Sequence, residues 1–316
     1  MKVISLFSGA GGLDLGLAQA GHQVVWANDI DRDAVLTYRR NIGTEIELSD
    51  ISTIDARALP DADVVVGGFP CQGFSQANMV RWEGDERNTL FAHFVKVLRA
   101  KRPQYFIAEN VKGLLSLGGG VLRDRILASF RRAGYRVRYQ VLNAADFGVP
   151  QNRQRVIFLG TRSDLPASAE PQFPQATHSD PRKADSLGLT PWVGVGQVLA
   201  GLPDVGEPTD FPNHVCSQYK VAFRNFTGHR KTDPTKPSPT ILARGNGKGG
   251  VCAIPHPFID RRLSVRESAL VQTFPLDFEF VGALNSMYRQ VGNAVPVLLA
   301  NHLGRSISLA AQTQST

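Results

Sequence analysis

The stretch that most limits how this chain can fold is Asp63-Val64-Val65-Val66, followed at once by Gly67-Gly68-Phe69-Pro70-Cys71-Gln72-Gly73-Phe74-Ser75. A short β-branched run without polar alternation reads as a strand buried on both faces, the pattern of a parallel sheet. Two glycines and a proline then stop the strand and let the backbone turn. Open parallel sheets hold their ligands beyond the carboxyl ends of their strands, so Cys71 is expected at such an edge. An isolated cysteine is more often a packed core residue. Small, polar and turn-forming neighbours suit an accessible thiol better. A phosphatase-type loop would need an arginine where Ala77 stands, and a metal site would need a second cysteine nearby.

The preceding residues support the same α/β reading. Residues 2–7 read as a central strand, Ser8-Gly9-Ala10-Gly11-Gly12 as a glycine turn, and the chain from Leu13 to about Ala20 as a helix. Two familiar glycine patterns fail here. The dinucleotide pattern needs glycine at Asp14, and the phosphate-loop pattern needs Lys-Ser/Thr where Leu17-Ala18 stand. A second strand, 23–28, ends in Asp29, which sits where an acid commonly accepts from ribose hydroxyls and where a helix-capping role is also common. Asp50-Ile51 follows a strand near Ile46, and a simple cap is again the ordinary alternative. Residues 76–88 are polar and aperiodic, as expected of a catalytic loop that closes over substrate, and a helix opens at Thr89-Leu90-Phe91. The strand 104–108 runs into Glu109-Asn110-Val111, 38 residues after Cys71, a spacing that fits a strand–helix–strand crossover. A lone glutamate there would more often face a helix dipole. A basic helix over 121–133 and strands at about 135–142 and 156–160 follow, with Gln151-Asn152-Arg153-Gln154-Arg155 between those strands. Alternate residues of an extended segment share a face, so Arg153 and Arg155 are expected to point the same way, unless both are plain surface arginines.

At 316 residues the chain suits one large domain and a smaller one. A composition 42% hydrophobic and 20% charged is globular, with no apolar run near the roughly 20 residues of a spanning helix. Three cysteines, at 71, 216 and 252, imply reduced thiols and a cytoplasmic home. The total charge is +7, yet residues 217–250 and 121–155 together carry +12, leaving −5 elsewhere. Basic residues gathered in this way suit a polyanion, although an ordinary solvated basic face looks similar. A stretch rich in Pro, Ser, Asp and Ala from Pro166 to about Pro191 reads as a linker, and weak strand signals continue to about Arg262. Ser264-Val265-Arg266-Glu267 is a capping box opening a helix through Gln272.

Phe69-Pro70-Cys71-Gln72 resembles the nucleophile motif of the DNA (cytosine-5) methyltransferases, of the bacterial restriction-modification type. The family's other blocks follow in order: Phe7-Ser8-Gly9-Ala10-Gly11-Gly12, Glu109-Asn110-Val111, the Gln-x-Arg-x-Arg block ending at Arg155, and Gln290-Val291-Gly292-Asn293-Ala294-Val295-Pro296. The resemblance implies a doubly wound, Rossmann-like S-adenosylmethionine-dependent methyltransferase domain over 1–175 and a smaller target-recognition domain over 176–264. A hinge and C-terminal helix over 265–316 would return to the catalytic domain. It implies that Phe7, Gly9, Gly11, Gly12, Asp29, Ile30, Asp50, Ile51, Pro70, Leu90, Asn293 and Val295 hold S-adenosylmethionine, released as S-adenosylhomocysteine. Ile30 stands where many members carry an aromatic. The catalytic set would be Cys71, Glu109, Arg153 and Arg155. Double-stranded DNA would be met by Gln72, Ser75, Arg224, Arg230, Thr240, Arg244 and Lys248. No metal is implied.

By the same resemblance, the Cys71 thiolate would add to carbon 6 of a flipped-out cytosine, Glu109 would protonate nitrogen 3, and Arg155 would bind the carbonyl oxygen, with Arg153 alongside supporting the loop or the phosphate. The expected protein is a cytoplasmic, nucleoid-associated monomer that meets no membrane and pairs functionally with a restriction endonuclease. Three other readings stand beside it. A relative acting on transfer RNA is disfavoured by a basic recognition region of about 85 residues, which suits duplex DNA. A silent DNA-binding protein is disfavoured by the presence of Cys71, Glu109 and Arg155. A nicotinamide-dependent oxidoreductase fails on the missing third glycine.

Overall fold

The computed structural model describes residues 1–70, 90–217, 232–243 and 254–313. Cys71, Gln72, Ser75, the 76–88 loop, Arg224, Arg230, Arg244, Lys248 and Cys252 lie outside the described residues.

A seven-stranded sheet organises the chain. Its strands are β1 (Lys2–Leu6), β2 (Gln23–Asp29), β3 (Ile46–Leu48), β4 (Val64–Gly67), β5 (Tyr105–Val111), β6 (Tyr135–Asn143) and β7 (Gln154–Arg162), in the spatial order β3-β2-β1-β4-β5-β7-β6. β1 to β5 pair in parallel, and β7 enters antiparallel between β5 and β6. After β3 the chain crosses to the far side of β1, so the topological switch opens between the carboxyl ends of β1 and β4.

The valine run behaves as its composition demands. Val64, Val65 and Val66 are at most 1% exposed, and each contributes roughly 1.5–3 kcal/mol by burial. Residue parity sorts the two faces of the sheet. Ile4, Leu6, Val65, Phe106 and Phe158 face one core, closed by α3 (Leu90–Lys101) and α4 (Val121–Arg132). Val3, Val64, Val66, Tyr105 and Ile157 face the other, closed by α1 (Gly12–Gln19) and by a C-terminal helix, Val297–Gln312. A Cβ on Gly16 would stand 2.3 Å from the Val297 carbonyl and 2.4 Å from the Ala300 Cβ, which is how closely α1 meets that helix.

Local signals set the helix ends. Asp31, not Asp29, caps α2 (Arg32–Asn41) by accepting from the Asp33 amide, and Ser264 and Glu267 form a complete capping box. The presumed linker is more ordered than its composition suggests. His178–Ser179 pairs with Thr190–Pro191 as β8 and β9, on either side of α5 (Pro181–Leu187), which Asp180 caps. Among the described residues after it, the weak strand signals do not become sheet. Among the described residues of 192–262 there is one short helix, α6 (Val195–Leu199), with irregular chain and isolated bridges, because glycines and prolines interrupt every ladder. A third core joins Val195, Leu199 and Ile241 to α7 (Val265–Val271) and α8 (Leu284–Asn293), and also takes in Ala10 of the glycine turn. The C-terminal helix is α9.

Candidate active site

The candidate site lies along the carboxyl edges of β2, β1, β4 and β5. Beyond β1, Phe7 adopts φ +55, a left-handed conformation that a non-glycine residue holds only under constraint. The constraint is visible: the Phe7 amide reaches Asn28 Oδ1 at 3.4 Å, and the Ser8 amide donates to the Asn28 carbonyl at 2.9 Å. Gly9 follows at φ +56, and its amide donates to Asp29 Oδ2 at 2.8 Å. Below the turn, Ser8 Oγ donates to Ser5 Oγ at 2.9 Å, and Ser5 Oγ donates to Asp14 Oδ1 at 2.6 Å. Asp14 is fully buried, and burial pushes its carboxyl up to about 6. The Tyr38 hydroxyl favours the ionised form without completing a hydrogen bond, so Asp14 Oδ2 and that hydroxyl are both buried without a partner among the described residues.

The glycines divide by role. A side chain on Gly9 would meet nothing within 4 Å, so its turn borders open space. Gly11 and Gly12 instead make room for protein. A Cβ on Gly11 would strike Ile42 at 2.2 Å, and one on Gly12 would strike the Val295 carbonyl at 2.5 Å. Asp29 Oδ1 accepts from the Asp31 amide at 2.8 Å, and burial raises the Asp29 carboxyl while these amides partly offset it. Ile30, next to it, is 70% exposed, an apolar surface beside a half-buried carboxylate. Asp50 caps a 3-10 turn, and its bonds from Ser52 lower its carboxyl; Ile51 is a core residue. Leu90 and Pro70 are exposed, Asn293 is exposed at the end of α8, and Val295 is buried. Carboxylate, exposed apolar face and open glycine turn fit an adenosine-like group carrying a ribose.

The β4–β5 edge carries the acid. Arg155 Nε stands 2.8 Å from Glu109 Oε1 in an ion pair, and both side chains are about nine-tenths buried. A Cβ on Gly68 would stand 3.0 Å from Glu109 Oε2, so the strand leading to Cys71 passes directly against this carboxylate. Asn110 Nδ2 donates to the Phe69 carbonyl at 2.8 Å, fastening the same strand end. The two arginines do not share a task. Arg153 is 1% exposed, and its guanidinium donates to the carbonyls of Ile241, Gly292 and Ala294, each at 2.9 Å. Burial, then the charge on Arg155, lower it to about 9. It is placed to hold segments of chain together, because β7 begins only at Gln154 and the strict alternation expected of the pair does not extend back to 153. Thr240 Oγ1 donates to the Asn152 carbonyl at 2.6 Å, against the same loop.

Asp14, Asn28 and Gln272 are buried polar residues of this region that the motifs did not single out, and Gln151, also buried, is the first residue of the Gln-x-Arg-x-Arg block and had no role assigned to it. Of the first three, Asp14 left a trace, as the acid that breaks the dinucleotide pattern.

The sheet order and the glycine turn define the Rossmann-like S-adenosylmethionine-dependent methyltransferase fold. The S. pombe Dnmt2 methyltransferase structure superposes with a TM-score of 0.74 over all of both chains at 20% identity, and the Entamoeba histolytica methyltransferase EhMeth with 0.72 over 97% of each at 15%. Sequence narrows the class. The C-5 cytosine-specific DNA methylase family matches residues 1–204 and 212–309, and this chain belongs to that family. Type II methyltransferase M.NgoFVII of Neisseria gonorrhoeae is 37% identical over 97% of this chain and 86% of its own length. Type II methyltransferase M.FnuDI of Fusobacterium nucleatum is 36% identical over 97% of this chain and 94% of its own. The chain is accordingly a C-5 cytosine-specific DNA methyltransferase. Among the described residues no helix is long and apolar enough to cross a membrane.

Proposed function

We propose that the protein methylates carbon 5 of a flipped-out cytosine in a short duplex DNA sequence, through a covalent Cys71 adduct at carbon 6. The observation that carries this reading is the buried Glu109–Arg155 pair at 2.8 Å, with Gly68 against the other carboxylate oxygen. An acid and a cation held together beside the strand that leads to a cysteine suit a heterocycle that must gain a proton on nitrogen while its carbonyl oxygen gains charge.

The thiolate of Cys71 adds to carbon 6 as nitrogen 3 takes the proton of Glu109, which turns carbon 5 into an enamine-like nucleophile. Arg155 donates to the carbonyl oxygen. S-adenosylmethionine, when bound, supplies the electrophilic methyl group, and the chain's own part is to hold it. Asp29 would receive the ribose hydroxyls, Ile30 would cover the adenine, and the open turn at Gly9 would let the backbone approach; Phe7, Asp50, Pro70, Leu90, Asn293 and Val295 would complete the surround. A base, water or a residue, then removes the carbon 5 proton, the electron pair left behind expels the Cys71 thiolate, and nitrogen 3 returns its proton to Glu109. Residues 176–264 serve as the recognition region, with Arg224, Arg230 and Arg244 reading bases, Gln72, Ser75 and Thr240 near the target, and Lys248 on phosphate. Residues 1–175 and 265–316 form the catalytic body. The names of the relatives, Type II methyltransferases, support a modification enzyme working beside a restriction endonuclease; we propose in addition that it acts as a cytoplasmic monomer associated with the nucleoid.

The test uses a mapped target whose cytosine carries fluorine at carbon 5. Fluorine cannot leave as a cation, so elimination stops and protein remains joined to DNA through denaturing electrophoresis. The adduct should require S-adenosylmethionine and vanish in Cys71→Ser, because a neutral hydroxyl is a far weaker nucleophile than a thiolate. An adduct persisting in Cys71→Ser, or none in the parent, would overturn the assignment.

A further inference from the structure

Four stretches of chain distant in sequence meet at one buried polar knot. Gln272, fully buried at the end of α7, donates from Nε2 to the carbonyls of Val291 at 2.7 Å and Ala294 at 3.2 Å. Its Oε1 accepts from Gln151 Nε2 at 2.9 Å, and Gln151 Oε1 in turn accepts from the Ile241 amide at 3.0 Å. The Ile241 carbonyl accepts from Arg153, which also serves Gly292 and Ala294. Both backbone groups of Ile241 are therefore held by side chains of the Gln151–Arg155 loop, and the Ala294 carbonyl is shared between Arg153 and Gln272. A Cβ on Gly292 would strike the backbone of Leu242 and Ala243 at 2.5 Å, so residues 242–243 lie directly on the turn that precedes Asn293. Thr273, next to Gln272, sits at φ +62, an uncommon conformation for a β-branched residue, and its Oγ1 accepts from the Leu298 amide at 3.0 Å.

We propose that Gln272 is a positioning residue that links the two ligands of this enzyme: ordering of 292–295 by the cofactor is transmitted through Gln272 and Gln151 to 238–243, the segment facing DNA. The inference rests on the functional reading above, which puts Asn293 and Val295 at the cofactor and Thr240 near the target. A buried amide with three bonds cannot shift toward one partner without leaving another unpaired, so the segments it joins move together. Ordering one end lowers the entropy left to lose at the other, and such a linkage is reciprocal.

The first measurement is amide hydrogen exchange on the parent, with and without saturating S-adenosylhomocysteine and with no DNA present. Exchange at the Ile241 amide should slow at least tenfold. The second is calorimetric affinity for S-adenosylhomocysteine with and without a duplex bearing the mapped target. In the parent the duplex should tighten binding about fivefold or more. In Gln272→Leu, of similar size but without the amide, both the slowing and the tightening should fall below twofold, while affinity without DNA stays within about threefold. A parent that binds the cofactor product and methylates DNA, yet shows no slowing at Ile241, overturns the linkage alone, whether or not the variant folds. So does a folded Gln272→Leu that retains both effects. A parent that binds no S-adenosylhomocysteine overturns the functional reading and the linkage with it.

Discussion

Replacing Asp14 with asparagine should stabilise the protein at neutral pH relative to acid. The carboxyl is fully buried, accepts one bond from Ser5 at 2.6 Å, and has a second oxygen with no partner among the described residues. Burial raises it from 3.8 to about 6. The folded state thus holds this proton more tightly than the unfolded chain does. The stability this gives is fully present below pH 3.8 and is lost as pH rises through about 6. That interval, at about 1.4 kcal/mol per pH unit, is worth about 3 kcal/mol. Asparagine keeps the acceptor that Ser5 needs and cannot ionise. Because the unfolded carboxyl is already partly ionised at pH 4, the stability of the variant minus that of the parent should rise by about 2 kcal/mol between pH 4 and pH 7.5. Urea denaturation of both proteins at the two pH values, at constant ionic strength, measures this double difference, and other titrating groups cancel. A difference that stays flat with pH, or rises toward acid, would refute the reasoning.

Asp29→Ala should weaken S-adenosylmethionine binding by about 1–2 kcal/mol, the scale of hydrogen bonds to a charged acceptor, and should free the Gly9 amide as well. Calorimetry finding parental affinity would remove Asp29 from the cofactor site. Gly16→Ala should cost about 1–3 kcal/mol, because the added carbon meets backbone of α9 that cannot yield cheaply. A thermal midpoint within a degree of the parent's would show that α1 and α9 are not packed this closely.

Much of the catalytic half was legible in the chain because its signals are local. Val64-Val65-Val66 can satisfy its side chains only when covered on both faces, and Gly67-Gly68 can only end the strand. Glu109 was readable as an acid at a sheet edge, since a strand and its crossover have a narrow range of lengths. Segment 192–262 was not readable, because its glycines and prolines remove the period that marks a strand, and its described residues settle by packing against α7 and α8.

What the amino-acid order determined by itself was therefore the main strands and helices of residues 1–162 and the residue types arriving at one sheet edge: a turn at Gly9, an acid at Asp29, an acid at Glu109 and an arginine at Arg155. Tertiary structure alone decided how those side chains are employed. Arg153 and Arg155 are two residues apart in one motif, yet one spends its donors on three backbone carbonyls while the other meets Glu109. Gly9 and Gly11 stand in one turn, yet only Gly9 borders open space. The difference arises because a hydrogen-bond donor or a missing Cβ has no role until a partner from elsewhere in the chain reaches it. Those partners, Ile241, Gly292 and Ala294 for Arg153 and Tyr38 and Ile42 for Gly11, lie 27 to 141 residues away, beyond the reach of any local pattern.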